Sequence, residues 1–79
     1  MLSFDFAGTL HGVSLRPDRF AATLGAVLHD GRLILHRTTP DPPLHASLGG
    51  QPIRAVTVAG GFAFDIAQTA AGHRLDVVF

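Results

Sequence analysis

Every charged side chain in this 79-residue chain is an arginine or an aspartate, with six of each and no lysine or glutamate. Lysine and glutamate build most solvent-facing helix surfaces, and their i, i+4 pairs stabilise such helices. In their place, valine, isoleucine, phenylalanine and threonine recur at every second position, which is the period of a half-buried strand. The sequence therefore predicts one small β-rich domain that spans residues 1–79.

The first two strands are expected to form a hairpin. Leu2–Ala7 and Leu10–Arg16 flank Gly8 and Thr9, and glycine at the first of two turn residues is typical of a type II′ turn. This register gathers the large apolar side chains on one face and the small polar ones on the other. It pairs Phe6 with His11, Phe4 with Val13, and Leu2 with Leu15.

The next segment, residues 18–29, fits two structures. As a helix it collects its large apolar side chains in one arc, with Asp18 as the N-cap, although Gly25 in its middle costs about 1 kcal/mol relative to alanine. As a strand it would instead end in a hairpin turn at Asp30 and Gly31. The helix is the interpretation that we favour. Its apolar arc comprises Phe20, Leu24, Val27 and Leu28.

A regular strand, Arg32–Arg37, is expected to precede a long loop. The strand alternates, with Leu33 and Leu35 on one side. Residues 38–52 contain four prolines and a Gly-Gly pair, which predicts a proline- and glycine-rich loop. Long loops in compact domains are often functional. The alternative is a plain connector that crosses the sheet.

A second hairpin is expected from Ile53–Ala59 and Phe62–Gln68, because Gly60 and Gly61 between them suit a type I′ turn. Large side chains would oppose small ones on one face, and the other face would also be apolar. Two-sided apolar strands are typical of the centre of a sheet, or of a face that another protein covers. A last strand, His73–Phe79, follows. The first face would set Phe62, Phe64 and Ile66 opposite Ala59, Thr57 and Ala55, and the second would hold Val56, Val58, Ala63 and Ala67.

This order of elements predicts an α+β fold that is rich in strands. We expect a small β-grasp-like sheet of five or six mostly antiparallel strands with one helix at about residues 18–29. The likeness to a β-grasp is architectural, and no family motif accompanies it. If the helical segment is a strand, the same elements make an all-β small barrel or sandwich.

No pattern of catalytic or metal-binding residues stands out. The five histidines match no common ligand spacing, and the chain has no cysteine or glutamate to complete a metal site. Asp41, His45 and Ser47 are the residue types of a nucleophilic triad, but they lie on the predicted loop without a rigid scaffold or an oxyanion hole. We therefore expect no enzyme activity, no cofactor and no bound metal.

The low charge and high apolar content point to protein partners. Only 15% of residues are charged, 47% are apolar and the formal net charge is zero. The arginines form no basic patch, so we expect no nucleic-acid partner. No apolar run approaches the roughly 20 residues that cross a bilayer, so we expect no membrane insertion. The N-terminal residues lack the pattern of a secretory signal, which favours the cytoplasm or a virion-like particle.

Together these features predict a non-catalytic subunit of a larger homo- or hetero-oligomeric assembly, which docks through apolar strand faces. A phage virion, a tail-like particle and an accessory subunit of a complex are examples. The alternative is a small-ligand- or peptide-binding module that uses residues 38–52 or a sheet edge. The residues expected in the contact are Val56, Val58, Ala63, Val78, Phe79 and Leu44.

Overall fold

The structure is a computed structural model that describes residues 2–25, 31–39 and 41–79. Within these ranges the chain forms nine strands and one short 3₁₀ helix, Gln68–Ala70. The strands are β1 (Leu2–Asp5), β2 (Leu10–Arg16), β3 (Arg19–Leu24), β4 (Gly31–Arg37), β5 (His45–Leu48), β6 (Gln51–Pro52), β7 (Val56–Val58), β8 (Gly61–Ile66) and β9 (Arg74–Val78).

The strands form two antiparallel sheets that pack face to face. Sheet 1 has the order β1-β4-β8-β7, and sheet 2 has the order β2-β3-β9-β5-β6. One hydrophobic core lies between them, so the fold is a small β-sandwich. The β-rich prediction is confirmed. The all-β alternative describes the fold better than the α+β, β-grasp-like arrangement, because the described residues contain almost no helix.

The core follows from the alternation of side chains along the strands. Leu33 and Leu35 of β4 are fully buried, whereas His36 is exposed, as the pattern in this segment predicts. Full burial of such a side chain stabilises the fold by about 1.5–3 kcal/mol. The largest fully buried side chains are Phe20, Phe64, Leu24, Leu33, Leu35, Ile66, Leu75 and Val77.

The helix predicted at residues 18–29 is wrong over its described part. Arg19–Leu24 form β3, which lies between β2 and β9 in sheet 2. Pro17 and Asp18 form the turn that leads into it, because the fixed φ of proline suits the first central position of a turn. The extended form is stabilised by strands on both sides, which a helical wheel does not reveal. The remainder of the predicted helix, 26–29, lies outside the described residues.

The predicted hairpin between the first two strands is also wrong. β1 pairs with β4 and β2 pairs with β3, so the two strands lie in different sheets. Gly8 lacks the positive φ that a type II′ turn needs. The ring of Phe6 packs against Gly8 instead, where a Cβ would come within 2.6 Å of it. Residues 6–9 therefore cross from one sheet to the other.

The loop predicted at 38–52 is only partly a loop. Its second half forms a hairpin of β5 and β6, in which Leu48 pairs with Gln51. Gly49 and Gly50 connect the two strands with φ values of 59° and 81°, as a type I′ turn requires. β5 also pairs with β9 and so extends sheet 2.

The second predicted hairpin is present, but its turn comes one residue earlier. Val58 pairs with Gly61, so Ala59 and Gly60 form the turn, and of these only Gly60 has a positive φ, 76°. The type I′ assignment at this place is therefore wrong. The pairing shifts by two residues, which leaves every side chain on its predicted face because side chains alternate with period two.

A β-bulge in β2 decides which of its side chains face the core. Leu10 pairs with Leu24 and Leu15 pairs with Phe20, with a register shift between the two pairs. Gly12 lies in the bulge with a φ of 58°, which glycine adopts without strain. Residues five apart in a regular strand point to opposite faces. The extra residue brings Leu10 and Leu15 to the same face.

Candidate interaction surfaces

The outer face of sheet 1 carries an apolar stripe. The register sets Ile34, Ala63 and Val56 side by side, and they alternate with core residues, so they point away from sheet 2. Val58 lies on the same face, two residues along β7. Val56 is 38% exposed, Ile34 and Val58 are half-buried, and Ala63 is covered. The structure thus brings together three of the predicted contact residues. We call Ile34, Val56, Val58 and Ala63 the sheet 1 stripe.

Polar side chains surround this stripe. Arg32 and Asp65 are cross-strand neighbours and form an ion pair of 3.2 Å on the same face. Ser3, Asp5 and His36 are also exposed there. An exposed ion pair contributes only about 0–1 kcal/mol, so these groups shape the polarity of the face more than the stability of the fold. An apolar centre with a polar rim is typical of a protein–protein interface.

Two other predicted contact residues lie on sheet 2. The backbone N–H of Leu44 donates to the carbonyl oxygen of Val78 at 2.7 Å, so these residues are neighbours. Leu44 is 82% exposed, the most of any large apolar side chain in the described part of the chain. Val78 is half-buried on the outer face, since Val77 points into the core. The predicted contact set therefore joins two separate surfaces.

Phe79 belongs to the packing of the sandwich. Its ring centroid lies 5.8 Å from that of Phe62, and the guanidinium of Arg37 lies 4.2 Å from the Phe79 centroid. Its backbone N–H donates to the carbonyl oxygen of Asp18 at 2.8 Å. The half-buried ring is thus held by an aromatic contact and a cation–π contact, which stabilise this end of the core.

An open groove of about 400 Å³ lies beside Leu44. It falls within the segment predicted as a loop and next to β6, which is only two residues long. Most of its lining residues are of apolar types, but polar atoms cover as much of its exposed surface as apolar atoms. A groove near a sheet edge suits an extended peptide, whose backbone also offers polar groups. The lining includes Pro42, Pro43, Leu44, Pro52 and Ile53.

A third apolar surface lies where β1 and β2 approach each other. Phe4 and Leu15 are 39% and 44% exposed there, and Val13, two residues before Leu15 on β2, is 42% exposed. The ring centroid of Phe4 lies 5.5 Å from that of Phe20, which also pairs with Leu15 across β2 and β3. Sequence reasoning missed this surface because it placed β1 and β2 side by side in one sheet and assigned their shared apolar face to the core.

The outer face of sheet 2 is more strongly charged than that of sheet 1. Asp76 of β9 forms ion pairs with two arginines, Arg19 on the neighbouring strand β3 and Arg74 on β9 itself. The N–O distances are 3.3 Å and 3.4 Å. The Asp76 side chain is 25% exposed, whereas both arginines are 53% exposed. Asp76 therefore links two strands through one partly shielded carboxylate.

Asp41, His45 and Ser47, the residues considered for catalysis, lie in the loop before β5 and on β5 itself. Asp41 lies in the loop, where its backbone carbonyl accepts a hydrogen bond from Arg37 at 3.3 Å, and His45 and Ser47 lie two residues apart on β5. Across residues 2–25, 31–39, 41–67 and 69–79, no polar or charged side chain is buried, and no three histidine or aspartate side chains gather as metal ligands.

No protein-family model, curated protein or solved structure matches this chain. No helix in the described ranges is long and apolar enough to cross a membrane. The case for a function therefore rests on the surfaces described above.

Proposed function

We propose that this chain is a non-catalytic subunit of a larger protein assembly, such as a virion-like or tail-like particle or a multi-subunit complex, in the cytoplasm or within that particle. The sheet 1 stripe is the docking surface. The observation that carries the proposal is that Val56, Val58 and Ile34 form an apolar row on the outside of the sandwich, within a polar rim. The described residues form two sheets, and no third layer among them covers that face.

The stripe lies at an open sheet edge, which adds a second means of docking. Within the described residues, β7 has β8 as its only neighbour in sheet 1. A partner strand can therefore pair with β7 while its side chains cover Val56 and Val58. Apolar area that is covered contributes about 25 cal/mol per Å², so the few partly exposed side chains of the stripe contribute only a few kcal/mol. Since association itself costs more than this, the stripe is the centre of a larger contact.

The test introduces a charge into the stripe. Val58→Asp should strongly reduce incorporation into the native assembly, because a carboxylate would be buried there without a partner. Thr57→Asp is the matched control, since it adds the same charge to the same strand at an exposed position on the other face. Tagged variants compete with the wild-type chain for incorporation, and native mass spectrometry measures the ratio. Circular dichroism confirms that both variants are folded.

Equal incorporation of the two variants would contradict docking through the stripe. The purified wild-type chain should also self-associate or be poorly soluble at high concentration, because part of its partner surface is apolar. A wild-type chain that occurs in its source only as a free monomer of 8.3 kDa would contradict the assembly role itself.

A second candidate function is peptide or small-ligand binding in the groove beside Leu44. The supporting observation is its volume of about 400 Å³ and its proline-rich lining, in which polar and apolar atoms are both exposed. Leu44→Asp should abolish such binding while leaving incorporation intact, since Leu44 lies outside the sheet 1 stripe. Loss of incorporation in Leu44→Asp with normal incorporation of Val58→Asp would move the docking surface to sheet 2.

A further inference from the structure

A small pocket lies at one end of the sandwich, where β4 ends and the hairpin of β7 and β8 turns. Its volume is about 240 Å³, below the roughly 300–1,000 Å³ of sites for drug-sized ligands. Polar and apolar atoms cover nearly equal parts of its exposed surface. The pocket therefore suits a small ligand with polar groups. Its lining residues are Arg37, Thr38, Thr39, Thr57, Val58, Gly60, Gly61 and Phe62.

The strand pairing explains why polar side chains meet at this pocket. Thr57 pairs with Phe62 across β7 and β8, and Phe62 pairs with the buried Leu35. Residues paired across strands share a face, so the exposed Thr57 side chain lies on the face of sheet 1 that meets sheet 2. Arg37 lies two residues beyond Leu35 on β4 and so belongs to the same face. A guanidinium and a hydroxyl therefore stand at the edge of the gap between the two sheets.

The guanidinium of Arg37 is held in place by contacts that leave most of its donors available. It stacks over the ring of Phe79, 4.2 Å from the centroid, and its Nη1 donates to the backbone carbonyl oxygen of Asp41 at 3.3 Å. A guanidinium has five N–H donors. Within the described part of the chain, Arg37 forms no ion pair with a carboxylate. The half-buried side chain is thus oriented and still has donors and a positive charge to offer a ligand.

We infer that this pocket binds a tetrahedral oxyanion, namely the phosphoryl group of a small phosphorylated molecule or inorganic phosphate. The fork of Arg37 matches two oxygens of such a group. The hydroxyls of Thr38, Thr39 and Thr57 are donors for its other oxygens, whereas a carboxylate has only two oxygens to offer. Arg37 is the one charged side chain among the lining residues that the structure describes, so no carboxylate in the lining repels an anion.

The test is a titration of the full, ¹⁵N-labelled chain with sodium phosphate, followed by nuclear magnetic resonance. A single arginine in a pocket open to water binds weakly, so the titration runs to about 20 mM, which brackets a millimolar dissociation constant. Sodium chloride keeps the ionic strength constant, because exposed charges are screened by salt. The amide signals of the lining should shift saturably and with one common dissociation constant. These signals belong to Thr38, Thr39, Gly60 and Gly61.

Removing the charge of Arg37 should weaken binding specifically. Arg37→Gln should raise the dissociation constant for phosphate at least about tenfold, because the charge-assisted hydrogen bonds are lost. Arg32→Gln is the matched control, since it removes the same charge from the same strand, but at an outward-facing position paired with Asp65. It should change the dissociation constant by less than about twofold. Arg37→Lys should bind more weakly than the wild-type chain, because it keeps the charge without the fork.

Variants of Thr57 provide a second readout that leaves the contact of Arg37 with Phe79 untouched. Thr57→Val removes one hydroxyl from an exposed position and keeps the shape of the side chain, so it should raise the dissociation constant about threefold to fivefold. Thr57→Asp should abolish the saturable shifts, because it places a carboxylate beside the anion. Circular dichroism confirms that each variant is folded.

The choice of anion separates the two sources of the phosphoryl group. Tighter binding of glycerol 3-phosphate than of phosphate would assign the pocket to a phosphorylated molecule, and the reverse would assign it to the free ion.

Three results would overturn the inference: no saturable shifts with either probe, equal losses in Arg37→Gln and Arg32→Gln, or acetate binding as tightly as phosphate. The inference does not rest on the proposed function, whose readout is incorporation into an assembly. Thr57→Asp separates the two, since it should lose phosphate binding and retain normal incorporation.

Discussion

Replacing Gly61 by alanine should destabilise the fold far more than replacing its neighbour Gly60. Gly61 begins β8 and pairs with His36 of β4, and a Cβ at position 61 would collide with the carbonyl oxygen of Leu35. It would also lie 2.9 Å from the carbonyl carbon of Leu35. Gly60 has a positive φ of 76° and open space around it. The two glycines are therefore required for different reasons.

The magnitudes follow from these geometries. Alanine at position 60 must adopt a left-handed conformation, which costs about 1 kcal/mol. Alanine at position 61 forces β4 and β8 apart by roughly 1 Å, which weakens one or two interstrand hydrogen bonds at about 1 kcal/mol each. One of these is the bond from the Arg37 N–H to the Gly60 carbonyl, 2.9 Å long. Overpacking adds about 1–3 kcal/mol. We expect a total of about 3 kcal/mol for Gly61→Ala.

For a domain of this size, the difference is easily measured. About 3 kcal/mol corresponds to a fall in Tm of roughly 12–24 °C, against roughly 4–8 °C for Gly60→Ala. The chain has no tryptophan or tyrosine, so far-ultraviolet circular dichroism is the suitable probe of thermal and urea unfolding. Asparagine tolerates the left-handed region, so Gly60→Asn should lose less stability than Gly60→Ala.

Asparagine at position 61 is the decisive control. A side chain there collides with β4 whatever its backbone preference, so Gly61→Asn should be at least as unstable as Gly61→Ala. Equal losses for alanine at positions 60 and 61, or a rescue of position 61 by asparagine, would refute the reasoning. Either result would mean that Gly61 is a turn residue of a type I′ hairpin.

Two further predictions concern the ion pairs of Asp76 on the outer face of sheet 2 and the packing of Phe79 at one end of the core. Asp76→Asn should lower the free energy of unfolding by about 0.5–1 kcal/mol, since it weakens the ion pairs with Arg19 and Arg74, and the loss should shrink in about 1 M salt. Phe79→Ala should cost about 1.5–2 kcal/mol in urea unfolding, because the ring loses its contacts with Phe62 and Arg37. Phe79→Leu should recover part of this loss, and equal losses for the two variants would contradict a contribution from apolar packing.

The strands could be predicted from the sequence where alternation is regular, because alternation is a local property. Arg32–Arg37 is a strand in the structure, extended by one residue at its start, and its two predicted inward leucines are fully buried. The last strand behaves in the same way, with Leu75 and Val77 in the core. In both cases the buried face of the strand can be predicted without knowing which strand lies beside it.

The pairing of strands could not be predicted, because it depends on residues far apart in the sequence. Gly8 reads as a turn residue, yet its role is to leave room for the ring of Phe6 where the chain passes between sheets. Arg19–Leu24 reads as a helix when considered alone, yet β2 and β9 on its two sides stabilise it as a strand. Non-local contacts decided both structures against local preference.

The candidate surfaces also include some residues that could be predicted from the sequence and others that could not. The positions of Val56 and Val58 in the sheet 1 stripe could be predicted because a register error of two residues does not change the face of a side chain. Phe79, which was also predicted as a contact residue, is half-buried with its ring against Phe62. The apolar end at β1 and β2 was missed, since its exposure arises only when the two strands belong to different sheets.

The incorrect hairpin prediction indicates that β1 and β2 have a local tendency to pair with each other. β1 and β2 have matching patterns and only a four-residue connection, so a hairpin between them can form early in the unfolded chain, on the scale of about 1–10 µs that is typical of hairpins. Native pairing of β1 with β4 is less local and therefore slower. We expect the early hairpin to form and to open before the sandwich closes. The folded protein then holds the same two strands side by side at the edges of different sheets, and within the described residues they are not paired with each other.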